Sequence, residues 1–241
     1  MRILLISDVH ANSWALHAVE QDASPVDQIL CAGDTVNYGP RPGAVLDRLR
    51  RLGVVTVRGN HDNAVAFAVD PKASPAKQAL ALAMRDWTRR QLEATDLGWL
   101  LSLERRLTCH YAACRFMLVH GTPIDPLYDY RLTPNATEEL LDELTRDVNA
   151  DVLLVGHTHL PLLRKHRDLR IVNPGSVGQP LDGDPRAAYA LWDDGEITLR
   201  RVEYDRTAAI DALARLPLDH KLIVDLQNTL SRGSIASITI N

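Results

Sequence analysis

The chain has 241 residues, 46% of them hydrophobic and 24% charged, with a formal net charge of −4. That length suits one sizeable α/β domain, and the mild acidity excludes a generic binder of nucleic-acid polymers. No apolar stretch reaches a membrane span, the run Ile3–Ile6 is too short for a signal-peptide core, and three irregularly spaced cysteines point to a reducing, cytoplasmic setting rather than a disulfide framework.

In chain order, Arg2–Ser7 reads as a buried strand, Ser13–Ala23 as a helix, Val26–Ala32 as a strand, Gly43–Leu52 as a helix and Val54–Arg58 as a strand. This alternation predicts a sheet with parallel neighbours and crossover helices. Residues 75–103 break the rhythm: Ala76–Leu92 has helical spacing, and Thr95–Leu103 forms a second helix with Thr95 or Asp96 capping its start. We read 75–103 as a helical excursion on the domain edge, a wall for a cleft. Strands resume at Arg106–Tyr111 and Phe116–Val119, followed by a helix at Thr137–Asn149 and a buried strand at Val152–Val155. Four consecutive strands joined by tight turns then follow, Leu162–His166, Leu169–Val172, Ala187–Trp192 and Ile197–Glu203, with Asp193-Asp194-Gly195 as one of the turns. Asp205–Leu216 returns to helix, and the tail from Pro217 has helical and strand-like pieces. With no repeat or linker, 1–241 reads as a single domain.

Five short motifs each end a hydrophobic run: Asp8-x-His10, Gly33-Asp34, Gly59-Asn60-His61-Asp62, His120-Gly121 and Gly156-His157-x-His159. In parallel sheets, ligands gather beyond the carboxyl ends of the strands, where Asp8, Asp34 and Asn60 sit. A carboxylate can bridge two cations, and nitrogen with oxygen ligation lacking thiolate suits Mn, Fe, Zn, Co or Ni better than Mg or Ca. Each motif alone has an ordinary reading: Asp8 as a helix cap, His10 as an exposed side chain, Asn60 and Asp62 as turn residues. Their coincidence argues for a site, since five of the nine histidines fall at strand ends. His17, His110, His166 and His220 lie outside the pattern and are assigned structural roles.

The ordered series resembles the calcineurin-like metallophosphoesterase superfamily, especially its small bacterial and archaeal phosphodiesterases, with matching positions from Asp8 to about Arg186. The resemblance implies an α/β fold, a four-layer α/β/β/α sandwich of two mixed sheets. It implies two divalent transition-metal ions, manganese favoured. Asp8, His10 and His159 would bind one ion, Asn60, His120 and His157 the other, and Asp34 would bridge them. His61 would be the catalytic histidine, protonating the leaving alkoxide. Two divalent cations against Asp8 and Asp34 leave a net positive centre that attracts a phosphate despite the acidic chain.

Protein phosphatases of that superfamily carry Gly-Asp-x-x-Asp-Arg-Gly, in which the arginine grips phosphate. Here the segment is Gly33-Asp34-Thr35-Val36-Asn37-Tyr38-Gly39, so Asn37 replaces the acid and Tyr38 the arginine. Loss of a bidentate clamp penalises a monoester dianion more than a diester monoanion. Tyr38 either stacks on substrate or packs in its loop. Asn12 either touches substrate or caps the helix. Arg131, with Tyr128 and Tyr130, is placed to line the cleft, while Asn173 and Ser176 either support the histidine pair or form a simple turn. The leading expectation is a phosphodiesterase acting by two-metal activation of water on a small phosphodiester, a nucleotide derivative among the candidates. A phosphomonoesterase or nucleotide pyrophosphatase with the same site is the next. A non-catalytic interaction scaffold on the same fold is the third, and retention of all seven ligands with His61 argues against it.

Overall fold

The structure, a computed structural model, describes residues 1–234. Its architecture follows from the period-two alternation of the first strand. In β1 (Arg2–Ile6), Leu4 and Ile6 face helices α1 (Ser13–Ala23) and α2 (Pro42–Arg51), meeting Ala15, Leu16, Val45 and Leu49. Ile3 and Leu5 face the opposite way, onto Phe116, Leu118, Val152 and Leu154 of a second sheet. Because both faces of β1 are covered, it reads as one continuous apolar run.

The first sheet has the order β10-β9-β1-β2-β3, built from β2 (Gln28–Cys31), β3 (Val55–Thr56), β9 (Ala187–Asp193) and β10 (Glu196–Val202) around β1. Its β1, β2 and β3 run parallel; β9 is antiparallel to β1 and to β10. The second sheet has the order β4-β5-β6-β8-β7, from β4 (Arg106–Tyr111), β5 (Cys114–Val119), β6 (Val152–Leu154), β7 (Leu162–His166) and β8 (Leu169–Asn173). Here β5, β6 and β8 run parallel between antiparallel edges. Its outer face packs Met117, Val119 and Ile171 on Leu141 and Leu144 of α6 (Glu138–Thr145). The layers are therefore α/β/β/α, as the resemblance implied.

The remaining helices are α3 (Asn60–Phe67), α4 (Gln78–Gln91), α5 (Ala94–Ser102), α7 (Arg206–Leu213) and α8 (His220–Arg232). Helix α8 accounts for the helical piece of the tail and packs with α4 and α7 around Leu213, Leu226 and Leu230. A strand-like piece in 235–241 lies outside the described residues. No described helix is long and apolar enough to cross a membrane.

Four local expectations differ from the structure, the first being that β8 and β9 are joined not by a tight turn but by residues 174–186, which carry the chain from one sheet to the other. Helix α3 was not anticipated, because Gly59-Asn60-His61-Asp62-Asn63 has turn composition; its start is held by Asp62 accepting from the Gly59 N–H and by Asp34 accepting from the His61 N–H. The cap of α5 is Glu93, not Thr95 or Asp96; Asp96 sits one turn in and accepts from the Glu93 N–H. The helix expected over Thr137–Asn149 begins as foreseen, with the Thr137 hydroxyl accepting from the Leu140 N–H, but stops at Thr145.

Candidate metal centre

Asp8 follows β1, Asp34 follows β2, Asn60 opens α3 after β3, His120 follows β5, and His157 and His159 follow β6. Packing the two sheets face to face brings all these strand ends to one edge. Asp8, His10, Asp34, Asn60, His120, His157 and His159 are each 0–6% exposed, and His61 is 4% exposed.

The loops reach this arrangement through backbone that L-residues rarely adopt. Asp8, His10, Ala11, Asp34, Asn37, Tyr38, His157 and His159 all have φ between 46° and 74°. Such residues persist only where their surroundings over-determine them, and they cluster at functional sites. Gly59 is required for a different reason: a Cβ there would lie 2.0 Å from Asp34 Oδ1. Only glycine lets α3 start against that carboxylate.

The donors form two groups. His10 Nε2 lies 3.2 Å from His159 Nε2 and 3.8 Å from both Asp8 Oδ1 and Asp34 Oδ2, and His159 Nε2 lies 3.3 Å from Asp8 Oδ1. His120 Nε2 lies 3.0 Å from Asn60 Oδ1, 3.1 Å from His157 Nδ1 and 3.2 Å from Asp34 Oδ2. Asp34 belongs to both groups.

The contact between His10 and His159 is not an ordinary hydrogen bond. The Nδ1 atoms of His10, His120 and His159 face the carbonyl oxygens of Val36, Ala32 and Gln179 at 3.2, 2.8 and 2.6 Å. A carbonyl only accepts, so each Nδ1 carries a proton, and whenever the ring is neutral, as a metal ligand must be, Nε2 presents a lone pair, a tautomer inferred from the network. Facing lone pairs of His10 and His159 need a cation between them. Ligands about 2.0–2.2 Å from one ion and at right angles lie about 3 Å apart, close to the separations found except for the two from His10 Nε2 to the carboxylates, which are 3.8 Å. Asp8 Oδ1 and His157 Nε2 are buried without a hydrogen-bond partner among the described residues. The donor set therefore fits a pair of divalent transition ions.

Burial holds His10, His157 and His61 neutral, lowering them to about 3, 3 and 4. For His120, burial is outweighed by Asp34 and then Asp8, which raise it to about 9. Burial also works against Asp8, but His159 and His120 bring it to about 2. Asp34 is held well below the usual carboxylate range against burial, by His120 and His61.

A second ring of residues fixes the loops. Ser176 donates to the Asp8 carbonyl at 2.7 Å and accepts from the Gln179 N–H; Asn173 donates to the Gly156 carbonyl at 2.8 Å and to Thr158 Oγ1. Asp62 accepts from the Thr35 N–H and hydroxyl, the Val36 N–H and the Gly59 N–H. Gly59-Asn60-His61-Asp62 thus gives a candidate ligand, a candidate acid and a clasp from consecutive residues.

The substrate candidates separate. Tyr38 is 3% exposed and wedged between His10 and His61, with ring centroids at 5.0 and 4.6 Å. Asn12 spends its amide within the fold, accepting from the Ala15 N–H and donating to the Gly178 carbonyl. Arg131 does not line the cleft: its guanidinium is committed to Asp129 and Glu143, and the neighbouring Tyr130 enters instead, stacked on His157 at 3.6 Å. The cleft above the donors, about 190 Å³, is also lined by Lys77 and Gln179, which no motif marked. Lys77 begins the helical excursion expected to form a wall. Outside the centre, His166 is held between Glu138 and Asp142, a structural role.

Residues 1–194 match the family model described as the calcineurin-like phosphoesterase superfamily domain. A metallophosphoesterase from Sphaerobacter thermophilus, of known structure, superposes with a TM-score of 0.81 at 34% identity, covering 97% of this chain and 99% of that one. An uncharacterised protein of Methanocaldococcus jannaschii is 30% identical over 237 residues, 89% of this chain and 93% of its own length. The phosphodiesterase YfcE of Escherichia coli is 27% identical over 213 residues, 83% of this chain and 91% of its own.

Proposed function

The chain belongs to the calcineurin-like phosphoesterase superfamily, and from that premise we propose that it is a dinuclear, divalent-metal-dependent phosphodiesterase hydrolysing a small phosphodiester. The observation carrying this reading is the buried meeting of six candidate ligand side chains around Asp34, with His61 beside them. The similarity to the E. coli phosphodiesterase supports the reaction class.

Asp8, His10 and His159 would hold one ion and Asn60, His120 and His157 the other, with Asp34 between them; manganese is our first choice. When bound, the ions supply an activated water and hold phosphoryl oxygens through an in-line displacement. The protein adds orientation and a proton. His61 Nδ1 receives a hydrogen bond from Asn37 Nδ2 at 2.7 Å, which leaves the single proton of the neutral ring on Nε2, where it is shared with the leaving oxygen as negative charge develops there. Such acid catalysis is worth roughly 10²–10⁴-fold. The cleft of about 190 Å³ favours a compact substrate over a folded phosphoprotein.

The test is turnover of a panel of small phosphodiesters and monoesters with Mn, Zn, Co, Ni and Fe. The reading expects metal-stimulated diester cleavage that chelation abolishes. Metal-loaded protein inert to the whole panel would overturn it in favour of a scaffold role.

A further inference from the structure

Among the described residues, Lys77 is the one strongly basic side chain lining the cleft. It sits immediately before α4, in the excursion that none of the metal-ligand motifs touches. Its Nζ donates to Gln179 Oε1 at 3.0 Å and stands 5.3 Å from the centre of the Tyr38 ring. Among the described residues it has no other hydrogen-bond partner and no carboxylate within ion-pair distance. An ammonium carries three donors, so two remain for the cleft. A half-buried cation without a counter-charge is costly unless a ligand supplies one. Gln179 is 3% exposed and anchored at its backbone, where its N–H donates to Ser176 and its carbonyl accepts from His159 Nδ1. Its side chain therefore holds Lys77 in fixed relation to His159. Burial lowers the ammonium to about 8, with Asp8 pulling the other way, so it is charged at neutral pH.

Tyr38 stands where the protein phosphatases of the superfamily have a phosphate-gripping arginine, which by itself disfavours dianionic substrates. The structure returns a positive charge to that place from another element, poised over the Tyr38 ring. A diester has two non-bridging oxygens, enough for the two ions alone. A monoester or terminal phosphate has a third. We propose that Lys77 binds this third phosphoryl oxygen, so that the site accepts dianionic phosphoryl groups, phosphomonoesters and terminal phosphates, as well as diesters. Lysine acts here as a point charge in place of a bidentate fork.

This rests on the phosphoesterase reading, and the test separates the two. Wild type, Lys77→Met and Lys77→Arg, each loaded with manganese and assayed for metal content, are compared in turnover of nitrophenyl phosphate and bis(nitrophenyl) phosphate. Binding of inorganic phosphate by calorimetry is the readout independent of turnover. The expected result for Lys77→Met is unchanged metal content, phosphate affinity and monoester kcat/KM down by about tenfold or more, and diester kcat/KM down by less than about threefold. Lys77→Arg restores most of the loss. Lys77→Gln, which keeps a partner for Gln179, replaces the methionine variant should that one fail to fold. Equal losses on both esters, or none, would overturn the assignment while leaving the phosphodiesterase reading intact. Wild-type protein that holds manganese but neither binds phosphate nor cleaves either ester would overturn both.

Discussion

Asn37 Nδ2 lies 2.7 Å from His61 Nδ1 and 3.3 Å from the carbonyl oxygen of Ala81. The Ala81 carbonyl can only accept, so the Asn37 atom facing it is the nitrogen, and the amide orientation is fixed by α4. The same nitrogen then donates to His61 Nδ1. An asparagine thus orients this imidazole where the phosphatase relatives use a carboxylate, and it selects the tautomer with the proton on Nε2.

Removing that support should cost rate without costing metal. For Asn37→Ala we expect kcat to fall by about tenfold to a hundredfold while ion content stays at the wild-type level. Unchanged kcat, or ions lost in step with rate, would show that Asn37 does not act through His61.

His61→Ala should depend on the leaving group. With an alkoxide leaving group the loss should approach the ~10²–10⁴-fold of general acid catalysis, and with nitrophenolate, which needs little protonation, it should be much smaller. Equal losses with both would remove the acid assignment.

Asp62 is a stability prediction. Burial and the nearby Asp34 push its carboxyl up to about 6, yet four donors from two loops converge on it. Asp62→Ala strands those donors, and we expect a loss of at least about 3 kcal/mol in chemical denaturation. A loss below about 1 kcal/mol would mean the loops hold without it.

The metal-free protein should show a stability maximum near neutrality. His10, His61 and His157 have folded values of about 3, 4 and 3 against an ordinary 6.5. Between about 4 and 6.5 the unfolded chain binds protons that the folded chain refuses, so stability rises with pH. Asp62, raised to about 6, opposes this with a single group. His120 has the reverse sign: raised to about 9, its contribution is complete below 6.5 and drains as pH climbs towards 9. Lys77, lowered to about 8, adds the opposite slope only above that pH. The diagnostic window is therefore 6.5 to 8. Thermal melts in chelator should fall across it, and His120→Gln should flatten the fall. A rising Tm across the window in wild type would contradict the assignment.

The sequence made the sheets and the donors legible for a physical reason. Ile3–Ile6, Phe116–Val119 and Val152–Val155 are apolar on both faces, so their ends stand out, and the candidate ligands Asp8, His120 and His157 follow each run within two residues. Helix α3 was hidden because its start depends on Asp34, distant in sequence. Lys77 and Gln179 were hidden because their role comes from α4 and the loop after β8 meeting across the cleft, and no local pattern encodes that meeting. Arg131 looked available because its partner Glu143 arrives from α6. What could be read was local periodicity and residue chemistry; what could not was the pairing of distant side chains.

Anomalous diffraction from crystals soaked in manganese tests the central claim most directly. The account predicts two peaks, one among Asp8, His10 and His159 and one among Asn60, His120 and His157, about 3.5–4 Å apart with Asp34 between them, both weakened in Asp34→Asn. A single peak, or ions bound away from Asp34, would contradict it.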